Sequence, residues 1–154
     1  MSAYSPECEP KRIELVDAAV QYDCPYNGKT YILVIRNALH VPAMQTNLIL
    51  PFMMREAGIQ GNDIPKIQVE DPGVDDHSIY FSEQKFRIPL ALWGVFSYFP
   101  TSKPTAQTLK ECEEVYMVTP DRWDPHHGAY AANEQGMLDW EGNMIKRLHR
   151  QIIM

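Results

Sequence analysis

Apolar residues fall in short runs separated by polar, proline-bearing or glycine-bearing stretches, and their spacing is that of strands rather than of long helices. Two runs, Ile13 to Tyr22 and Lys29 to Arg36, flank Asn27-Gly28, residues that tolerate the positive φ of a hairpin turn. They predict an antiparallel hairpin. Apolar residues are consecutive from Ile32 to Ile35, which predicts a strand covered on both faces. Asn37 to Pro42 reads as a further short strand stopped by Pro42. After Leu48-Ile49-Leu50 comes Pro51, suited to the first helical position because the N–H it lacks would have no intrahelical partner there. A short helix is predicted over 51–57, closed by Gly58 and packing Phe52, Met53 and Met54.

A short strand is predicted around Lys66 to Val69. Ile79 and Phe81 alternate with polar neighbours, as do Phe86, Ile88 and Leu90 beyond Ser82-Glu83-Gln84-Lys85. This is a second hairpin, running on through Leu92 to Phe99, with Gly94 marking a bulge or a close backbone approach. Thr105 N-caps a helix over 105–114 that turns Leu109 and Cys112 inward, and Val115 to Val118 forms a strand. Met137 to Met154 fits either a helical stripe or a hairpin about Glu141-Gly142-Asn143; a break there followed by a helix is preferred. The expected fold is mainly β (α+β), built of short antiparallel hairpins with two short helices. The expected division is an irregular arm (1–12), a β domain (13–100), and a linker with C-terminal extension (101–154).

Composition narrows this further. The 154 residues include 12 Pro against 8 Gly, an inversion of average usage. Proline interrupts helices and central strands, so a helical bundle or a dinucleotide-binding α/β domain is disfavoured. The formal net charge of −6 argues against nucleic acid as a partner. The densest basic stretch, Lys146 to Arg150, reads as a solvated face. No apolar run reaches the ~20 residues of a membrane span, and the N-terminus lacks the charged-then-apolar pattern of a signal peptide. Cys8, Cys24 and Cys112 are odd in number and widely spaced, which predicts reduced thiols in an intracellular, cytoplasmic protein.

Candidate chemistry is sparse. Glycine-rich phosphate loops and the Gly-x-Ser-x-Gly elbow are missing from the sequence. Asp124, His126 and His127 are the candidate metal ligands, but adjacent histidines point apart in extended chain and a surface loop is the simpler reading. Asp75-Asp76-His77 reads as a solvated turn, and His40 as a satisfied or half-buried strand residue. Trp93, Phe96, Tyr98 and Phe99 sit at strand spacing, more often core than a binding platform; a contact surface is their alternative role. No cofactor is expected.

The stretch Asn27 to Gly58 nevertheless resembles the retropepsin-like protease region of copia-type retrotransposon Gag-Pol polyproteins. The resemblance rests on Asn37-Ala38-Leu39-His40-Val41-Pro42, then Asn47-Leu48-Ile49 and a short helix. It implies a partial retropepsin-like β-barrel, with Leu48-Ile49-Leu50 standing where a hydrophobic strand braces the catalytic loop. Aspartic protease chemistry requires a carboxylate pair, carried by Asp-Ser/Thr-Gly loops. That triplet occurs nowhere in these residues; Asp71-Pro72-Gly73 comes nearest and places proline where the hydroxyl should be. The expectation is a fragment downstream of the catalytic motif, inactive alone and carrying no catalytic residue. Its partners would be the rest of a Gag-Pol polyprotein or a second copy, with the hairpin 86–99 as contact surface. If upstream sequence supplies the triplet, an aspartic endopeptidase is the alternative. Unpaired sheet edges predict a tendency to dimerise or aggregate.

Overall fold

The computed structural model describes residues 12–43, 46–131 and 134–145. The expected N-terminal arm, up to residue 11, lies outside the described residues, as does the chain after residue 145. The break expected at Glu141-Gly142-Asn143 is a hairpin turn: Leu138 and Met144 form an antiparallel bridge and Ile145 donates its N–H to the Met137 carbonyl (2.7 Å), so the chain that leaves the turn is extended where a helix is preferred by the sequence. The fold is mainly β; among the described residues there are eight strands in three small sheets and two short α-helices. These sheets do not close into a barrel.

Strands β1 (Glu14–Asp23) and β2 (Thr30–His40) form the expected hairpin. Its reversal takes a longer loop than a two-residue turn. Cys24 donates its N–H to the Lys29 carbonyl (2.9 Å), and Gly28, at φ +69°, donates to the Cys24 carbonyl (3.0 Å). Tyr31, Ile32 and Leu33 are all buried, so the centre of β2 is covered on both faces. The separate strand expected over 37–42 is instead the end of β2. Val16 pairs with Ala38 but Ala18 pairs with Ile35, so Arg36 and Asn37 together oppose Asp17 in a β-bulge. Asn37 takes φ +54°, a region Asn enters more readily than most residues. Asp17 fills the gap, accepting the Asn37 backbone N–H (3.1 Å) and pairing with the Arg36 guanidinium (3.0 Å).

Helix α1 (Pro51–Glu56) has Pro51 in its first turn and ends at Ala57, with Gly58 at φ +82°. Met53 and Met54 are buried, whereas Phe52 is exposed. The chain then enters β3 (Ile59–Asp63), a strand the hydrophobic pattern does not announce because Gly61 and Asn62 dilute it. The strand expected around 66–69 is a single 3-10 turn, Lys66–Gln68. Strands β4 (His77–Phe81) and β5 (Phe86–Pro89) complete an antiparallel sheet in the order β3-β4-β5. Lys85, at φ +52°, helps turn the chain between them.

After Leu90 the chain forms a separate two-stranded ribbon, β6 (Ala91–Trp93) and β7 (Phe96–Tyr98). Helix α2 (Ala106–Glu111) is capped as expected: the Thr105 hydroxyl accepts the Thr108 N–H at 3.0 Å. Leu109 is exposed rather than inward, because α2 is too short and too polar to present an apolar face. Strand β8 (Val115–Met117) returns to the first sheet and pairs parallel to β2, giving the order β1-β2-β8.

The core lies between the first two sheets. Tyr22, Tyr31 and Leu33 from the first meet Ile59, Ile79, Phe81, Phe86 and Ile88 from the second. The rings of Tyr31 and Phe86 stack at 4.2 Å between centroids, and Tyr22 meets Phe86 and Phe99 edge-to-face at 5.9 and 5.8 Å. Such aromatic contacts add to the burial of apolar area.

Candidate functional site

The ribbon β6–β7 places an apolar surface outside the core. Gly94 is the first central residue of its two-residue turn, at φ +62°, which suits the turn geometry that matches strand twist. The bulge expected at Gly94 is thus a hairpin turn. Trp93 pairs with Phe96 and Ala91 with Tyr98, so these four side chains share one face. That face is solvated: Trp93 is 73% exposed, Phe96 72% and Tyr98 46%, with Val95 at the tip 88% exposed. The expectation that these aromatics lie in the core is corrected for Trp93, Phe96 and Tyr98. Two strands alone have no third layer above them. Phe99 does reach the core, through its contact with Tyr22.

The opposite face, bearing Leu92 and Ser97, is tied to the body of the protein. His77, only 3% exposed, has its Nε2 2.8 Å from the Ser97 hydroxyl. The Ser97 hydroxyl also bonds the Asp63 carboxylate, whose Oδ1 is 3.5 Å from His77 Nε2. Leu90 donates its N–H to the His77 carbonyl at 2.9 Å. A nucleophile-activating triad needs the acid at one ring nitrogen and the hydroxyl at the other. Here both groups lie on Nε2, so the cluster is a clasp between β3, β4 and β7. The solvated turn expected at Asp75-Asp76-His77 therefore ends one residue early. The signal for this was present, since His77 shares the parity of Ile79 and Phe81 on one strand.

The residues carrying the family resemblance occupy two different settings. Asn37 sits in the bulge, where its amide donates to the Trp123 carbonyl while the Trp123 indole N–H donates to the Arg36 carbonyl at 2.8 Å. Thr119 and Asp121 also hold Arg36, at 2.9 Å to its backbone N–H and 3.3 Å to its guanidinium. Leu39 and His40 are exposed at the end of β2, Val41 is half-buried and Pro42 exposed. His40 is therefore not the half-buried residue expected. Asn47 to Leu50 is not assigned to any strand; Leu48 and Leu50 are exposed and Ile49 packs against the core.

The metal candidates do not converge. Asp124 accepts the His126 backbone N–H through its carboxylate (2.9 Å) and the His127 N–H through its carbonyl (3.0 Å), which makes it the hinge of a surface turn. No group of three or more His, Cys, Asp or Glu side chains among the described residues could hold a metal ion. A shallow depression between β2 and α2 contains Cys112, whose Sγ lies 3.4 Å from the Thr30 carbonyl. Its lining includes Lys29, Glu111, Glu113 and Glu114 but no histidine, so the thiol has no imidazole base. Among the described residues, no helix is long and apolar enough to cross a membrane.

Comparison with protein-family models, curated proteins and solved structures finds no match for this chain.

Proposed function

We propose that this chain is a protein-association module, similar to the protease region of copia-type polyproteins, that performs no hydrolysis by itself. The observation that carries the reading is the solvated face of Trp93, Phe96 and Tyr98 on a ribbon held in place from behind. Large aromatic side chains rarely gather on a free surface without a partner to cover them, and Trp and Tyr dominate the energetic centres of protein interfaces. The family resemblance supplies the setting, and the sequence supplies no Asp-Ser/Thr-Gly loop. The test is retention of the adjoining products of the same reading frame on the immobilised chain. Trp93→Glu with Phe96→Glu should abolish retention and leave the melting curve unchanged. Equal retention by variant and native chain overturns the reading.

A second reading is an aspartic endopeptidase completed by upstream sequence. One observation favours it: Asn47 to Leu50 belongs to no sheet and leaves Leu48 and Leu50 exposed, apolar surface that added upstream sequence would cover. Extending the chain upstream through an Asp-Ser/Thr-Gly triplet should then produce cleavage that the Asp→Asn change removes. No cleavage by the extended chain disposes of it.

A further inference from the structure

We infer that Asn27-Gly28, in the loop that closes the β1–β2 hairpin, is a site of spontaneous deamidation and that the Tyr31 hydroxyl restrains the reaction. The site shares no residue with the aromatic ribbon. An asparagine loses its amide when the next backbone nitrogen attacks its Cγ. A bond forms from that nitrogen to Cγ, closing a five-membered imide; the nitrogen gives up its proton, and Nδ2 leaves with it as ammonia. Water then opens the imide. Opening at Cγ leaves an aspartate, and opening at the main-chain carbonyl leaves an isoaspartate, whose main chain runs through the side-chain carbon.

Nucleophile and target lie in neighbouring residues, so proximity supplies much of the rate, and a side chain on the second residue obstructs the approach. Gly28 has none, and open space stands where its Cβ would be. Every other asparagine precedes a residue that carries a side chain. Asn27 and Gly28 are both exposed, so water reaches the imide. Three bonds hold the loop against the reaction. Gly28 donates its N–H to the Cys24 carbonyl at 3.0 Å, and a hydrogen bond made by the neutral N–H disfavours the deprotonated nucleophile. Asn27 Oδ1 accepts the Lys29 N–H at 2.9 Å. Asn27 Nδ2, the leaving group, donates to the Tyr31 hydroxyl at 2.7 Å. Tyr31 is buried and its ring stacks on Phe86, so this bond ties the carboxamide to the core. Conversion puts a carboxylate oxygen where Tyr31 accepts a donor. Isoaspartate also lengthens the main chain inside the loop that the Cys24 N–H closes on the Lys29 carbonyl.

The experiment is peptide mapping by mass spectrometry on the full chain held at mildly alkaline pH, scoring each asparagine for replacement of its amide NH2 by OH. Residue 27 should convert ahead of every other asparagine, and faster in denaturing urea than in the folded chain. Tyr31→Phe keeps the ring and removes the acceptor; it should speed conversion of the folded chain about fivefold, the rate factor equivalent to the net worth of one hydrogen bond. Ile88→Ala weakens the core without touching the loop and should convert at the native rate while folded, which separates the Tyr31 bond from general loosening. In urea, conversion at another asparagine ahead of residue 27 overturns the site. Conversion no faster in urea than in the folded chain, Tyr31→Phe at the native rate, or Ile88→Ala accelerated as much as Tyr31→Phe, each overturns the restraint by Tyr31.

Discussion

Asp17 accepts the backbone N–H of Asn37 at 3.1 Å, across the point where β2 spends two residues against one on β1. The same carboxylate holds Arg36, while Thr119, Asp121 and Trp123 grip the bulge from the other side. The chain after β8 is thereby fastened to the hairpin that begins the fold.

Asn37→Val should destabilise the protein by about 1–2 kcal/mol, because a β-branched residue is poorly accommodated at φ +54° and the bond to the Trp123 carbonyl is lost. Asn37→Gly keeps the conformation and loses only the amide contact, so its effect should be smaller. Thermal unfolding of both variants checks the order. A valine variant as stable as the native chain would show that the bulge does not depend on Asn37.

Leu33 and Ile88 are fully buried, one in each sheet of the core. Leu33→Ala or Ile88→Ala should cost about 2–5 kcal/mol, the range for large-to-small changes at such sites. Denaturant titration measures it. Losses below about 1 kcal/mol would mean the two sheets do not share one core.

Much of this architecture is legible in the residues themselves. The hairpins β1–β2 and β4–β5, the helix starting at Pro51 and the Thr105 cap are each set by local chemistry: alternation, consecutive apolar positions, proline at a first turn, a hydroxyl at an N-cap. What is not legible depends on partners distant in sequence. Strand β3 exists because β4 lies beside it, although Gly61 and Asn62 weaken its own pattern. The bulge at Asn37 needs Asp17 and Trp123, and nothing near residue 37 announces them. Strand spacing identifies the 91–98 segment but is silent on whether a further layer covers it, and so misplaces Trp93 and Phe96. The burial of His77 is legible too, since its parity with Ile79 and Phe81 sets it on their face of β4 rather than in the turn before it.

His77→Leu should remove the clasp on Ser97 and release the ribbon. Amide exchange over 91–98 should accelerate while the amides of β2 and β4 keep their protection. The accompanying loss of stability should be about 1 kcal/mol, the net worth of an ordinary hydrogen bond. Unchanged exchange in the ribbon would remove His77 from this role.

The tyrosines predict an alkaline limit. Burial raises the Tyr22 hydroxyl well above its usual range, and burial together with the Glu114 carboxylate pushes Tyr116 up to about 12. The unfolded chain releases these protons near pH 10, before the folded chain does. Stability should therefore be intact below about pH 10 and decline as pH rises towards 12. At the acid end the sign reverses. The backbone N–H of Asn37 and then the Arg36 guanidinium lower the Asp17 carboxyl, so its contribution fades as pH falls through the folded-state value. Denaturant titration across pH checks both limbs; stability that holds level from pH 10 to 12 would contradict the burial of the two phenols.

The central claim is that the exposed face of Trp93 and Phe96 is covered by protein. Retention of the adjoining products of the same reading frame on the immobilised chain tests this most directly. The native chain should retain them, and the Trp93→Glu/Phe96→Glu variant should retain none while its melting curve stays unchanged. Equal retention by the variant and the native chain would contradict the account.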